Sequence, residues 1–431
     1  MSIEDISFYP VKEIERVQQQ KLRALIHYVS VHSKFYRNLF KDHLIDPASI
    51  LTLEDFKRIP TTTKEDLQQY NWDFLCVEAS AVAEYMSTSG TLGKPVTVAL
   101  TASDLERLSI NEAMSFAMAG CTANDIFQLM LTLDRQFMAG IAYYQGIQKL
   151  GATAIRVGPG LPFLQLDIIQ RLKPSVLVAV PSFLIRLMEI AKEEGFDLNT
   201  SSVKRIICIG ERIRNVDGSP NVIATTITKA WHVALQSTYA STEMQTAFTE
   251  CPCCSGNHVN PVLLFVEVLD DHGNQVLEGE LGEVTITTLG VEGMPLLRYR
   301  TGDIAKFDNT PCACGRHSTR ISAIVGRKKQ MLKWKGTTLF PQAIVDVIQL
   351  IPEIEDYAIE ATTSALDTDD ITVYISVKNS VNEIIHQLEA QFQSRIRVKP
   401  NIAILSYEEI QKKIAANSGR KIQRFIDLRG L

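Results

Sequence analysis

The chain has 431 residues, 45% of them hydrophobic and 22% charged, with a formal net charge of −5. That length exceeds what one core fills, so at least two domains are expected, and the composition is that of a globular protein. The acidic balance excludes broad binding to nucleic acid or to anionic membranes and leaves room only for local basic pockets. The start, MSIEDISFYP, carries acidic residues and no apolar run, unlike a signal peptide. No stretch reaches the roughly 18 apolar residues of a membrane span. A cytoplasmic protein is expected.

In chain order, Val11, Ile14, Val17, Leu22, Leu25, Ile26 and Val29 recur at helical spacing and predict an amphipathic helix. TLED (52–55) and TKED (63–66) read as capping boxes that open two short helices. STSGTLGKP (87–95) lies between EYM (84–86) and VTVALT (96–101), which predicts a strand, a loop and a strand. Its glycines and hydroxyls suit an anion. Yet only two residues separate Gly90 from Gly93 and Pro95 follows Lys94, which departs from the ATPase loop Gly-x4-Gly-Lys-Ser/Thr. On loop chemistry alone an ordinary polar turn stays open.

The pattern then changes. FQLMLTL (127–133), ATAIRV (152–157), VLVAV (176–180), VKRIICI (203–209) and HVALQSTYA (232–240) alternate with helical stretches such as FLIRLMEIAKEEG (183–195). This predicts an α/β fold, a helix-covered and mainly parallel sheet with ligands at the carboxyl ends of its strands. YASTE (239–243) ends the last of these runs. An aromatic ring, two hydroxyls and a carboxylate there could stack a base, hold a phosphate and ligate Mg2+; a polar strand end is the plainer reading. Past residue 260 the style is antiparallel, with VLLFVEVLD (262–270) and GEVTITTL (282–289) flanking the turn DDHGNQ. YRTGD (299–303) offers Asp303 just after a glycine turn, where it could accept both hydroxyls of a ribose. After GRKK (326–329) comes a small α+β unit: strands DYAIEA (356–361) and ITVYISV (371–377), helix VNEIIHQLEAQFQSRI (381–396) and strand NIAIL (401–405). The expected division is 1–325 and 326–431.

Of the eight cysteines, Cys76, Cys121 and Cys208 stand alone and read as buried thiols. The other five fall in CPCC (251–254) and CAC (312–314), knots that point to metal rather than cystine in a cytoplasmic protein.

Together these segments resemble the phenylacetate–CoA ligase family of the adenylate-forming superfamily over nearly the whole chain. LRALIHYVSVHSKFYRNLF (22–40) and IPTTTKEDL (59–67) look like its N-terminal segments, and STSGTLGKP is similar to its SSGTTGKP loop. AGIAYYQGIQKLGATAI (139–155) and VAVPSFLIRLMEIAKEEGFD (178–197) match further family runs. IGER (209–212) and YASTE stand where the family has GAEP and YGLSE, LLRYRTGDIAKF resembles PLIRYRTRD, and SGRKIQRFID resembles EGKAVRVID.

The resemblance implies an ATP-dependent acid–thiol ligase. A carboxylate attacks the α-phosphate of ATP to give an acyl-adenylate and pyrophosphate, and coenzyme A then displaces AMP. Two anions must meet in the first step, so cations aimed at the developing charge are required. Lys421 falls at the family's catalytic-lysine position, Glu243 would hold Mg2+, and Thr242 would contact phosphate. Ser87, Thr88, Ser89, Gly90, Thr91, Gly93 and Lys94 would grip the β- and γ-phosphates. Gly210, Glu211, Arg212, Tyr239, Ala240 and Ser241 would frame the nucleotide, with Asp303 on the ribose and Arg327 assisting. The small C-terminal domain would turn about Lys329, withdrawing Lys421 and bringing in the KWKG turn with Lys335 and Gly336 for the thiol step. Tyr85, Met138, Ala139, Gly140 and Tyr143 would line a pocket for an aryl or arylacetic acid. Relatives also carry Cys-x6-His followed by Cys-x-Cys-Gly, which implies a closed structural Zn2+ site of Cys251, His258, Cys312 and Cys314, with Cys253 and Cys254 as alternatives to Cys251.

Departures from the family pattern are Leu92 in the loop, Ala240 for glycine, Ile209 near the adenine and Lys329 where aspartate is usual. The expected partners are a small carboxylic acid, ATP and coenzyme A, with no nucleic acid and no membrane; a homodimer stays open. Other readings are transfer to an amine or a carrier-protein pantetheine, a zinc-dependent nucleic-acid module, and a non-catalytic nucleotide sensor. The acidic charge opposes the nucleic-acid module and the retained Lys421, Glu243 and Asp303 oppose the sensor.

Overall fold

The computed structural model describes residues 5–88, 96–334, 337–363, 369–377, 381–417 and 423–429. They fall into two compact units, one from the described residues of 1–88, 95–301 and 305–324, the other including 302–304 and the described residues from 325 onward.

In the first unit the opening helix Val11–His32 buries Ile14, Leu22, Leu25, Ile26 and Val29, most of its predicted face. Both capping boxes form: Thr52 with Asp55, and Thr63 with Asp66, each exchange side-chain and backbone hydrogen bonds. The main sheet runs, in spatial order, Thr153–Arg156, Ile126–Leu129, Val176–Ala179, Arg205–Cys208 and Ala234–Ser241, all parallel. Helices Met138–Leu150, Pro162–Leu172, Pro181–Glu193 and Val222–Ala230 connect them. The inner strands Ile126–Leu129, Val176–Ala179 and Arg205–Cys208 are short and almost wholly buried, as expected when both faces are covered, whereas the edge strand Thr153–Arg156 is partly exposed.

The sheet changes character at Ala234–Ser241. Its first half pairs in parallel with Arg205–Cys208, and its second half pairs antiparallel with Thr246–Glu250. A four-residue turn, 242–245, joins those two strands. A separate antiparallel hairpin, Leu264–Leu269 with Gly282–Thr288, carries the DDHGNQ turn, where Asp270 accepts from the backbone of His272 and Asn274.

The second unit is built on a sheet ordered Asn401–Ile404, Asp369–Val377, Ile354–Thr363 and Phe425–Asp427. Helices Pro341–Ile348 and Val381–Arg395 contribute to its core. Among the described residues no helix is long and apolar enough to cross a membrane.

Candidate active site

The predicted loop 87–95 does lie between two strands, Val82–Ser87 and Thr97–Thr101, which pair antiparallel with Met86 opposite Val98. Thr88 closes its neck: its N–H donates to the Val96 carbonyl and its Oγ1 accepts from the Val96 N–H, each at 3.0 Å. The Thr88 hydroxyl is thus engaged in the fold. Ser87 is half-buried, with its N–H donating to the Gln136 carbonyl. Ser89, Gly90, Thr91, Gly93 and Lys94 lie outside the described residues, as do Lys335, Gly336 and Lys421.

Tyr239, Ala240 and Ser241 end the strand at which the sheet changes from parallel to antiparallel, and Thr242 and Glu243 begin the turn that follows. The turn is tight. Ser241 Oγ accepts from the Met244 N–H, the Gln245 N–H donates to the Thr242 carbonyl, and Gln245 is left-handed at φ 49°. Glu243 is mostly buried and has a cation beside it, Lys64 Nζ at 3.9 Å from its carboxylate. Lys64 opens the helix Lys64–Gln69 behind the Thr63 cap. Thr62, just before it, exchanges backbone hydrogen bonds with Arg298 and Arg300. Lys64 was not among the expected site residues; the only sequence signal for it is its place in the IPTTTKEDL segment.

The 209–215 loop is fixed from two sides. Glu211 accepts from the Ser182 N–H and Oγ at 2.9 and 2.7 Å, at the start of helix Pro181–Glu193. Gly210 takes φ 76°, and Arg212 Nη1 reaches the Ile324 carbonyl at 3.4 Å. Arg214 pairs with the buried Glu250 at 3.1 Å and donates to the Leu235 carbonyl, while the Ser237 N–H donates to the same carboxylate. The loop and the paired strands Ala234–Ser241 and Thr246–Glu250 are thereby one assembly.

The expected acid-pocket residues divide. Met138 packs with Met86, Val98 and Leu108, and Gly140 sits so close to the Thr132 carbonyl that a Cβ would lie 2.1 Å from its oxygen. Tyr143 is a core residue, its ring 5.8 Å from Phe116. Tyr85 departs from the expectation: strand alternation turns Met86 inward and Tyr85 outward, edge-on to Trp72. Ala139 is half-buried.

Asp303 belongs to the second unit. It does not follow a turn as the sequence suggested but lies inside the strand Tyr299–Ala305, because Gly302, at φ 78°, bends that strand without ending it. Asp303 stands opposite Arg327, with 3.4 Å between carboxylate and guanidinium. Lys329 is in a short turn, Lys328–Gln330, and its carbonyl accepts from Arg429 at 3.0 Å.

The cysteine knots converge. Cys251, His258, Cys312 and Cys314 each present a ligand atom within 4.8 Å of all the others. Cys251 and Cys312 Sγ are 3.7 Å apart, and Cys314 Sγ is 3.6 Å from His258 Nε2. His258 Nδ1 is held by Ser318 at 3.2 Å, which leaves Nε2 for the cluster. Burial, then the charges of Arg316 and Arg320, holds the His258 pKa down to about 4, so the imidazole is neutral. Burial raises the Cys251 thiol. At Cys312 burial is outweighed by hydrogen bonds from the Cys314 backbone and Ser255, and the pKa falls to about 7. Cys253 is exposed and Cys254 half-buried, and neither joins the group.

With this geometry in place, the chain can be set beside known proteins. The family described as AMP-binding enzyme matches residues 16–293, and the AMP-binding enzyme C-terminal domain matches 336–429. The chain is 28% identical to phenylacetate-coenzyme A ligase of Thermus thermophilus over 447 aligned positions, covering 99% of each. It is 24% identical to phenylacetate-coenzyme A ligase of Escherichia coli, covering 100% of this chain and 98% of the other. Its fold is similar to that of 2-hydroxyisobutyryl-CoA ligase in the postadenylation state with R3-HIB-AMP, at a TM-score of 0.85 and 21% identity, over 97% of this chain and 90% of that one.

Proposed function

The chain belongs to the AMP-binding enzyme family, and from that premise we propose that it is an AMP-forming acyl-CoA synthetase acting on a small aryl or arylacetic acid. It activates the acid as an acyl-adenylate with ATP and passes the acyl group to coenzyme A. The observation that carries this reading is the turn after Ala234–Ser241. It places Thr242 and Glu243 at the carboxyl end of the strand where sheet pairing reverses, the usual ligand position of such sheets.

The chemistry follows from charge. Glu243 would hold Mg2+, which supplies positive charge to the phosphates and leaves the carboxylate's own charge neutralised. Lys64 is close enough to that carboxylate to share its field and to turn toward an incoming anion. Lys421 would bridge the attacking carboxylate and the α-phosphate, and the second unit would then turn at Lys329 so that sulfur can enter. Glu211 and Tyr239 would frame the adenine, Asp303 would take the ribose hydroxyls, and the 87–95 loop would hold the pyrophosphate.

For the cysteine cluster we propose Zn2+. A tetrahedron with zinc–sulfur bonds of about 2.3 Å has sulfur–sulfur edges of roughly 3.8 Å, close to the Cys251–Cys312 separation. Three thiolates and a neutral imidazole fill all four positions, so the ion would cross-link the CPCC and CACG segments and take no part in the reaction.

The experiment is an acid panel. The protein is incubated with ATP, Mg2+ and assorted aryl and arylacetic acids, and pyrophosphate is counted with and without coenzyme A. Acid-dependent pyrophosphate whose turnover requires coenzyme A is expected. Silence across the panel from folded protein refutes the reading.

A further inference from the structure

Arg107 is a charged side chain that the reaction scheme leaves unused, yet it is almost wholly buried in the helix Ala102–Met118. Its guanidinium makes four hydrogen bonds. Nε donates to the Leu289 carbonyl at 2.8 Å and Nη1 to the Gln245 carbonyl at 2.7 Å. Nη2 donates to Thr246 Oγ1 at 3.1 Å and to the Leu263 carbonyl at 2.6 Å. Two of these acceptors lie where the turn that carries Thr242 and Glu243 ends: Gln245 is its last residue and Thr246 opens the strand that follows. A third, Leu289, directly follows the strand Gly282–Thr288.

Burying a guanidinium against carbonyl oxygens costs free energy that a neutral core residue would avoid. Burial accordingly lowers the Arg107 pKa to about 10, with the nearby Asp104 carboxylate opposing the shift. What this arrangement achieves is geometric. The planar fork points donors in fixed directions at three separate backbone segments, which lysine cannot do. It does so where the chain is least willing to hold its shape, at the left-handed Gln245. On the opposite side, Gln245 Nε2 donates to the Met294 carbonyl, so residue 245 is held from both ends.

We infer that Arg107 is a positioning residue for adenylation: it clamps the back of the Thr242–Glu243 turn and thereby fixes the Glu243 carboxylate for its cation. This inference rests on the reading of Glu243 as the magnesium-holding residue. It assigns the role to a residue that touches neither nucleotide nor metal.

The test measures the Mg2+ concentration that half-saturates acid-dependent pyrophosphate formation. Arg107→Lys keeps the charge and loses the fork; the requirement is expected to rise by at least about tenfold, with thiolysis of supplied acyl-adenylate changed less than about twofold. Thr246→Val removes one acceptor with little change of shape and should move the requirement in the same direction by a smaller factor, which covers the case in which Arg107→Lys fails to fold. Leu187→Ala, on the buried face of helix Pro181–Glu193 and outside the contacts of Arg107, supplies a variant of lowered Tm with the turn intact. If Arg107→Lys and Thr246→Val shift the Mg2+ requirement no more than Leu187→Ala does, while Glu243→Gln shifts it, the clamp is overturned. If Glu243→Gln itself leaves the requirement unmoved, the reading of Glu243 falls and this inference falls with it.

Discussion

The strand Thr246–Glu250 has a proposed site at each end, and the two are built on opposite plans. Before it lies the turn with Thr242 and Glu243, where one carboxylate has a lysine ammonium at 3.9 Å and, among the described residues, no closed ligand set around it. After it comes Cys251, whose sulfur is buried within 4.8 Å of two others and an imidazole. A cation that arrives with a substrate needs partial coordination and room for other ligands. A resident ion needs every position filled by the protein. On the proposed reading the same five residues would serve both, a fully buried strand separating a changing site from a fixed one.

That contrast predicts where substitutions act. The largest loss is expected for the residue at the family's catalytic-lysine position: Lys421→Ala should cut acid-dependent pyrophosphate release by at least ~10²-fold, the scale for removing a preorganised charge donor. Thiolysis of supplied acyl-adenylate should be much less affected, and equal losses in both half-reactions would break the distinction. At the closed end, Cys312→Ser should abolish near-stoichiometric zinc, read by metal analysis, and lower Tm by about 5 °C or more. Adenylation per folded molecule should persist; a metal-free wild type of undiminished Tm would remove the closed site from the comparison.

A smaller effect belongs to Glu112, a buried carboxyl that serves neither end. Its Oε2 has no hydrogen-bond partner among the described residues, and burial raises its pKa from 4.5 to about 8. A carboxyl raised in the folded state stabilises fully below its unfolded pKa, and that contribution is lost as pH rises from about 4.5 through about 8. Glu112→Gln should therefore flatten the decline of Tm between pH 5 and pH 8, by ~2 °C or more at the upper end. Parallel wild-type and variant curves would show that the carboxyl ionises freely.

Legibility in the sequence followed the range of the interaction. The short β-branched runs, the two capping boxes and the Cys and His spacings are local patterns, and the elements at 126–129, 153–156, 176–179, 205–208 and 234–241 formed where those patterns stood. Strand Phe425–Asp427 was not legible, because three residues carry no periodicity and their place is set by pairing with Ile354–Thr363. Nor was the Lys64–Glu243 contact, which depends on Thr62 being joined to residues 298–300. Nothing in the sequence marks Arg107, whose four acceptors come together from separate segments of the chain. Asp303 and Tyr85 show the finer limit: their motifs were visible, but a single glycine torsion and a one-residue alternation decided how each is presented.

Glu250 gives the strand one more property. Its carboxylate receives Arg214 and the Ser237 N–H, and its own carbonyl carbon is bonded to Cys251. The planar peptide between them fixes the distance from one Cα to the next, so the residue that anchors Arg214 and the residue that enters the sulfur cluster stand side by side. The 209–215 segment and the cysteine cluster thus share one short length of backbone, tied through Arg214 at Glu250 and through sulfur at the next residue.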